Sequence, residues 1–397
     1  MPHASTSHLR KSAAKAARPG KPFFGAIEPV LVDNPVDFEF DGAIARSDAA
    51  AAWIWVYRDL AADLIDPDAD EKKPETAAAL EALMPELLGR ARKALAEAAK
   101  SAHAERQLTT QLGRSSAYRR LPTVLNALKF RALLDKAQTF GRAANGLAED
   151  ATLAPALQSM PLGDQALTAL LMQVTVGQVA YPQRLMIAAI RIAGSDSENA
   201  VVRAGLGPLG DALLAHAQNQ LHLLDQRGPF ADYDLTCRAL DRFNRLHKAL
   251  NGYVELNRNG RWATVSAALT KSASQRVEPK LRGIVMDVNK ALRRHVEGAD
   301  RLDSDQLLHA LNGVYLLATV RDARDSLAVN ALFDPIWNQV GQALEINIER
   351  NLDQLRENPA DRIVAERLDC AIKMAELRFN PEYAEVLRRA KETAERR

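Results

Sequence analysis

Apolar residues recur at spacings of three and four along most of the chain, which is the period of an amphipathic α-helix. Leu240, Phe243, Leu246, Leu250 and Val254 form one such series. Val277, Leu281, Ile284, Val288 and Leu292 form a second, and Leu307, Leu311, Val314 and Leu317 a third. No sustained period-2 alternation occurs, and no Asn-Gly hairpin sits between apolar runs. The pattern predicts an all-α fold: a multi-helix antiparallel bundle, compact or elongated, with a disordered basic N-terminal tail.

Residues 1–22 are basic, poor in large apolar residues and end in RPGKP, so they read as the tail. Residues 23–45 carry the one stretch of extended character. Ser47-Asp48 reads as the cap of a helix running through AAAAWIWVYRDLAADLI, with Trp53 and Tyr57 neighbours at i,i+4. The acidic linker DPDADEKKPET follows. A long helix is expected from Thr76 to Lys100 despite Pro85, and another from Leu121 to Gly146, opening at Pro122. Residues 147–163, rich in proline and small side chains, are the best boundary, separating an N-terminal helical subdomain (23–148) from a C-terminal bundle (164–397). Near the end, Asp334-Pro335, Asn358-Pro359 and Asn380-Pro381 each place a capping residue before proline, so three helix starts are expected there. The stretch AIKMAELRFNPEYAEVL reads as a helical hairpin.

Composition adds little beyond confirming good helix formers: apolar residues are 47% and aromatics only 5%. Charge adds more. Residues 1–21 carry five bases and no acid; residues 28–89 sum to −11 and residues 90–148 to +9. One reading is that the acidic and basic blocks face each other within one helical domain. The other is that the tail (Arg10, Lys11, Lys15) and the surface around Arg114, Arg119, Arg120, Lys129 and Arg131 meet an anionic partner, nucleic acid among them. The start of the chain lacks the apolar core of a secretory signal, and its Arg/Ser/Ala content leaves a transit peptide as the lesser alternative. The charge-free run Gln165–Gln183 reads as a buried core helix rather than a membrane span. Two cysteines, Cys237 and Cys370, fit a reducing cytoplasm, and the excess of Arg over Lys fits a bacterial source.

The chain opens several catalytic readings and completes none of them. GLGPLG at 205–210 spells the G-x-G-x-x-G of dinucleotide loops, but only five residues (Ala200–Ala204) precede it as a strand, and Asp225 is too close to serve as the ribose acid. It reads as a turn, with Pro208 near a helix start. DPDADE begins like a calcium loop, yet position 6 is Glu71 where glycine is needed and position 12 is Ala77 where glutamate is needed. The eight histidines form no metal-spaced pair, though His222 with Asp225, and His309 with Asp305, share helix faces. The acids of Asp322-Ala-Arg-Asp325 are flanked by Arg321 and Arg324, so a magnesium role is not expected. No cofactor and no metal are expected. The leading expectation is a cytoplasmic, non-enzymatic helical scaffold or adaptor binding another protein. The alternatives are a nucleic-acid-associated protein, and an all-α enzyme whose site gathers residues such as Asp305, His309, Tyr315 and Arg321 from afar.

Overall fold

Helix follows helix, and the fold is all-α: the described residues contain a single pair of two-residue strands. The structure is a computed structural model describing residues 25–33, 37–65, 74–147, 152–225, 232–293 and 302–396. The chain divides into two compact units, Met1–Asn219 with Leu246–Val265, and Gln220–Arg245 with Ser266–Arg397.

In the first unit, β1 (Leu31–Val32) pairs in parallel with β2 (Ile44–Ala45), so the extended character expected over 23–45 is realised at only four residues as strand. β2 runs straight into α1 (Arg46–Trp55), which leaves Ser47 and Asp48 inside the first turn rather than capping it. The Trp53 and Tyr57 rings meet edge-to-face at 5.8 Å, as their spacing predicts. α2 (Pro74–Ala98) keeps Pro85 in its interior, and α3 (Ala102–Leu112) opens at Ser101, whose hydroxyl accepts from the Ala104 N–H at 3.2 Å. The single helix expected over Leu121–Gly146 is in fact two, α4 (Ser115–Lys129) and α5 (Arg131–Ala144), broken at Phe130. Pro122 does not open α4. Burial of Ala117 and Leu121 extends the helix upstream, and Pro122 lies on the exposed side.

Five helices follow in this part: α6 (Leu153–Gln158), α7 (Gln165–Gln178), α8 (Gln183–Ala193), α9 (Glu198–Arg203) and α10 (Gly207–Gln220). α7 is the charge-free run, and every residue from Leu167 to Val176 is buried. Its start is fixed by Asp164, whose carboxylate accepts from the Ala166 and Leu167 N–H groups. Among the described residues no helix is long and apolar enough to cross a membrane.

Two helices carry the points where one unit gives way to the other, α11 (Tyr233–Asn251) after Arg245 and α12 (Arg261–Leu281) after Val265. The second unit continues with α13 (Ile284–Leu292), α14 (Ser304–Ala323), α15 (Asn330–Glu357), α16 (Arg362–Arg378) and α17 (Pro381–Glu395). Of the three expected starts, only Asn380-Pro381 holds, with the Asn380 side chain accepting from the Tyr383 N–H at 2.7 Å. Pro335 sits inside α15, because the upstream turn is held by Phe333, fully buried and stacked on Trp337 at 5.5 Å. α16 starts after Asn358-Pro359 instead of on it, since the Asp361 carboxylate caps the Ile363 and Val364 N–H groups. α15, α16 and α17 run antiparallel to their neighbours. Arg378 at the end of α16 touches Trp337 near the start of α15, and Lys391 late in α17 pairs with Asp369 in mid-α16. Register between α13 and α15 is set by buried amides: Asn347 donates to Asn289, and Asn351 donates to the Leu292 carbonyl.

Burial in the first unit leaves one titratable group well away from its ordinary state. His247, in the late turns of α11, is pushed down to about 4 by desolvation. A histidine depressed in the folded state binds fewer protons than in the unfolded state between those two values. Stability therefore falls as pH drops from about 6.5 towards 4, by on the order of 2–3 kcal/mol for this group. Replacing His247→Leu should remove that part of the acid sensitivity, read as a flatter dependence of urea-unfolding midpoints on pH between 7 and 4.

Candidate functional site

The glycine motif is a turn and a packing device. Residues Glu198–Arg203 before it are helical (α9), so no strand delivers a phosphate to the glycines. Gly205 adopts a left-handed φ of 79°, which closes the turn between α9 and α10. Gly207 opens α10, with Pro208 next to it. Gly210 lies beneath Trp262: a Cβ there would overlap the six-membered part of the indole. The Trp262 N–H then donates to Asp211 at 2.9 Å, and Arg261 reaches the same carboxylate at 3.3 Å. Burial pushes the Asp211 carboxyl above its ordinary range despite those two donors.

The basic surface is laced with acids from the preceding block. Arg119 and Arg120 reach the two oxygens of Glu39 at 3.0 and 3.5 Å, and Arg114 lies 3.4 Å from Asp48. Arg131 grips Glu81 through two nitrogens and holds its carboxyl below the ordinary range. Arg90, at the start of the basic block, pairs with Asp63 at 2.6 Å. Lys129 sits over the Phe130 ring at 4.4 Å. Asp48 is the buried member of the set, 5% exposed, and also accepts from the Ser116 hydroxyl at 2.7 Å. Arg10, Lys11 and Lys15 lie outside the described residues, as does the DPDADE segment.

The described residues of the second unit form a cleft. It is open, about 410 Å³ in volume, and lined by Cys237, Arg238, Asp241 and Asn244 of α11, by Tyr315, Thr319, Arg321 and Asp322 among residues of α14, and by Glu376 and Leu377 of α16. Of the four residues expected to converge from afar, Tyr315 and Arg321 line it. Asp305 and His309 do not. His309 turns instead to Asp287 at 3.4 Å and to the edge of the Tyr233 ring. Asn244 is a fixed strut: it donates to the Asp322 carbonyl and accepts from the buried Ser326 hydroxyl at 2.8 Å.

The cleft's charges are partnered cheaply. Arg238 pairs with Asp234 and Asp241 with Arg245, each one turn away on α11, while Arg321 pairs with the adjacent Asp322. Glu376 is held by Arg388 of α17. Exposed pairs of this i,i+4 kind are worth only about 0.3–0.5 kcal/mol, so a ligand can exchange with them. The nucleophile candidates are subdued. Burial pushes the Cys237 thiol up to about 11 and raises the Tyr315 phenol, so both stay protonated near neutral pH. Among the described residues no three His, Cys, Asp or Glu side chains gather as a metal site requires.

Tyr315 also belongs to an exposed face of α14. Leu308 is 56% exposed and Tyr315 39%, seven residues apart and thus on one face, and Thr319 and Asp322 prolong that face into the cleft. Sequence periodicity placed Leu307, Val314 and Leu317 in the core correctly. It gave no hint of Cys237, Arg238, Asp241 and Glu376. Their one local signal is the i,i+4 charge spacing of Asp234/Arg238 and Asp241/Arg245.

Four mutations test these assignments by unfolding. Alanine at a helical glycine ordinarily stabilises by about 0.5–1 kcal/mol, and Gly89→Ala in α2, where a Cβ meets open space, should do so. Gly210→Ala should destabilise by about 1–3 kcal/mol because the indole must move. Asp48→Ala strands Ser116 and should cost about 1–3 kcal/mol at any ionic strength. Arg119→Gln, on an exposed pair, should cost under about 0.5 kcal/mol and vanish in high salt.

A scan of protein-family models, a search of curated proteins and a search of solved structures each returned no match to this chain.

Proposed function

We propose that the protein is a non-enzymatic helical scaffold or adaptor, and that it takes hold of a segment of another protein along α14. The observation that carries this is the continuity between the Leu308–Tyr315 stripe and the two-signed cleft beside it. An apolar anchor flanked by exchangeable charges is the anatomy of a protein-binding patch: burial supplies affinity, and charge placement supplies orientation. From Leu308 to Asp322 the face is about 21 Å long, room for roughly four turns of a partner helix or six extended residues. The protonated thiol and phenol support binding over nucleophilic chemistry. Two free cysteines fit a reducing, cytoplasmic setting. The alternative, nucleic-acid association, is weakened at the 114–131 surface by the acids already seated on Arg114, Arg119, Arg120 and Arg131. It retains the tail as its basis.

The test compares three baits in lysate with and without nuclease: the wild-type chain, a Leu308→Glu/Tyr315→Glu variant, and Val386→Glu as a control on α17, where Val386 is 61% exposed. A defined protein should be retained by the wild type and the control, and reduced at least tenfold on the double variant. Equal retention by all three removes α14 from the docking role. Recovery of nucleic acid alone, lost on nuclease treatment, favours the alternative.

A further inference from the structure

Trp337, early in α15, carries guanidinium groups from two other helices against its ring. Arg378, the last residue of α16, lies 4.1 Å from the ring centroid, and Arg321 of α14 lies 5.3 Å from it. The two charge centres are thus within about 10 Å of each other. Like charges at that range repel, and Arg321 indeed works with desolvation to lower the pKa of Arg378.

Arg378 is fixed on several sides. Its Nε–H donates to the Trp337 carbonyl at 2.8 Å, and the Phe379 ring is 4.9 Å from its guanidinium carbon. Its Nη2 lies over Gly341, where a Cβ would come within 2.9 Å. Yet among the described residues no carboxylate reaches ion-pair distance of Arg378. Glu345 is close enough to favour the charge but not to pair with it, and Glu376 is taken by Arg388. Arg321 meets one carboxylate, the adjacent Asp322, and does so through Nε at 2.9 Å. The Nη donors of both arginines therefore have no protein acceptor among the described residues.

A half-buried cation without a counter-charge carries a desolvation cost that an anion would offset. The fork of an arginine held in place by stacking loses little freedom when it binds, and it matches the two oxygens of an oxyanion. We infer that Arg321 and Arg378 form a binding site for a single oxyanion group, carboxylate or phosphoryl, taken by their Nη donors beside Trp337. Because Arg321 also lines the cleft, the group can come from a free anion or from an acidic side chain on a segment lying there.

The experiment uses the full chain labelled with 15N at its four tryptophan indoles, with the Trp337 signal assigned by Trp337→Phe. Inorganic phosphate and, separately, N-acetylglutamate amide are titrated at constant ionic strength. The expected result is a saturable shift of the Trp337 signal with a millimolar dissociation constant, weakened at least tenfold by Arg378→Gln and by Arg321→Gln. Arg378→Lys, which keeps the charge without the fork, should fall between. A response to phosphate alone identifies a phosphoryl group as the ligand; a response to both probes shows that an acidic side chain suffices. The site is overturned if neither anion saturates the signal, if all four indoles shift alike, or if the Gln variants bind as the wild type does. Arg321→Gln, at an exposed residue, serves if Arg378→Gln does not fold. Failure here leaves the α14 docking reading standing, since Leu308 and Tyr315 lie outside the stack.

Discussion

Ten consecutive buried residues in α7, Leu167–Val176, oblige the first unit to surround one helix on every side, because a helix apolar all round has no face to give to water. Closing that shell requires backbones to come nearer than ordinary side chains permit. Gly42 and Gly141 meet the requirement: a Cβ on Gly42 would overlap the Ala169 carbonyl, and one on Gly141 would come within 2.8 Å of the Thr175 carbonyl. Once the segment around Gly42 is pressed against α7, its own backbone groups need partners. The Gln218 amide of α10 supplies a matched pair, accepting from the Phe38 N–H at 2.9 Å and donating to the Phe38 carbonyl at 3.0 Å. His216, two residues earlier, donates from Nε2 to the Gln173 carbonyl of α7 itself.

The same packing turns a segregated charge pattern into an interleaved one. Glu39, Asp48 and Glu81 are acids of one sequence block, and they meet Arg119, Arg120, Arg114 and Arg131 of the next across 50 to 80 residues of chain. Individually, the exposed pairs contribute little. Collectively they prevent a −11 stretch and a +9 stretch from presenting two opposed fields to solvent. A sequence-level inference from net charge per segment to an anionic partner therefore loses force once the segments are folded onto each other. Interest moves to charges whose partners are only local, which is the situation in the α11–α14 cleft.

Much of the fold was legible because helical periodicity and burial coincide. The core positions Leu240, Phe243, Val277, Val288 and Val314 are all buried, and α7 was recognisable from its lack of charge. Proline grammar was less dependable. Pro122 and Pro335 look like helix starts but lie inside helices, because buried Leu121 and Phe333 gain more by continuing the helix than one lost hydrogen bond costs. Asn358-Pro359 lost its role to Asp361, a carboxylate able to accept from two N–H groups at once. GLGPLG could be dismissed as a phosphate loop from its flanks, but the reason for its third glycine is Trp262, 52 residues away, and no local rule points there. The cleft was illegible for the same reason: α11, α14 and α16 each contribute a few ordinary polar residues.

α14 shows why such a face is worth having. Its apolar residues surround the helix, so its sequence reads as fully buried, yet Leu308 and Tyr315 remain partly in water. Leaving a leucine and a tyrosine half-exposed forgoes roughly 1 kcal/mol for each that full burial would return. A partner that covers them recovers it on binding and loses only weak one-turn ion pairs at Arg238 and Asp241. On the proposed docking reading, the imbalance between what α14 offers and what its own unit covers is what would drive association at this face.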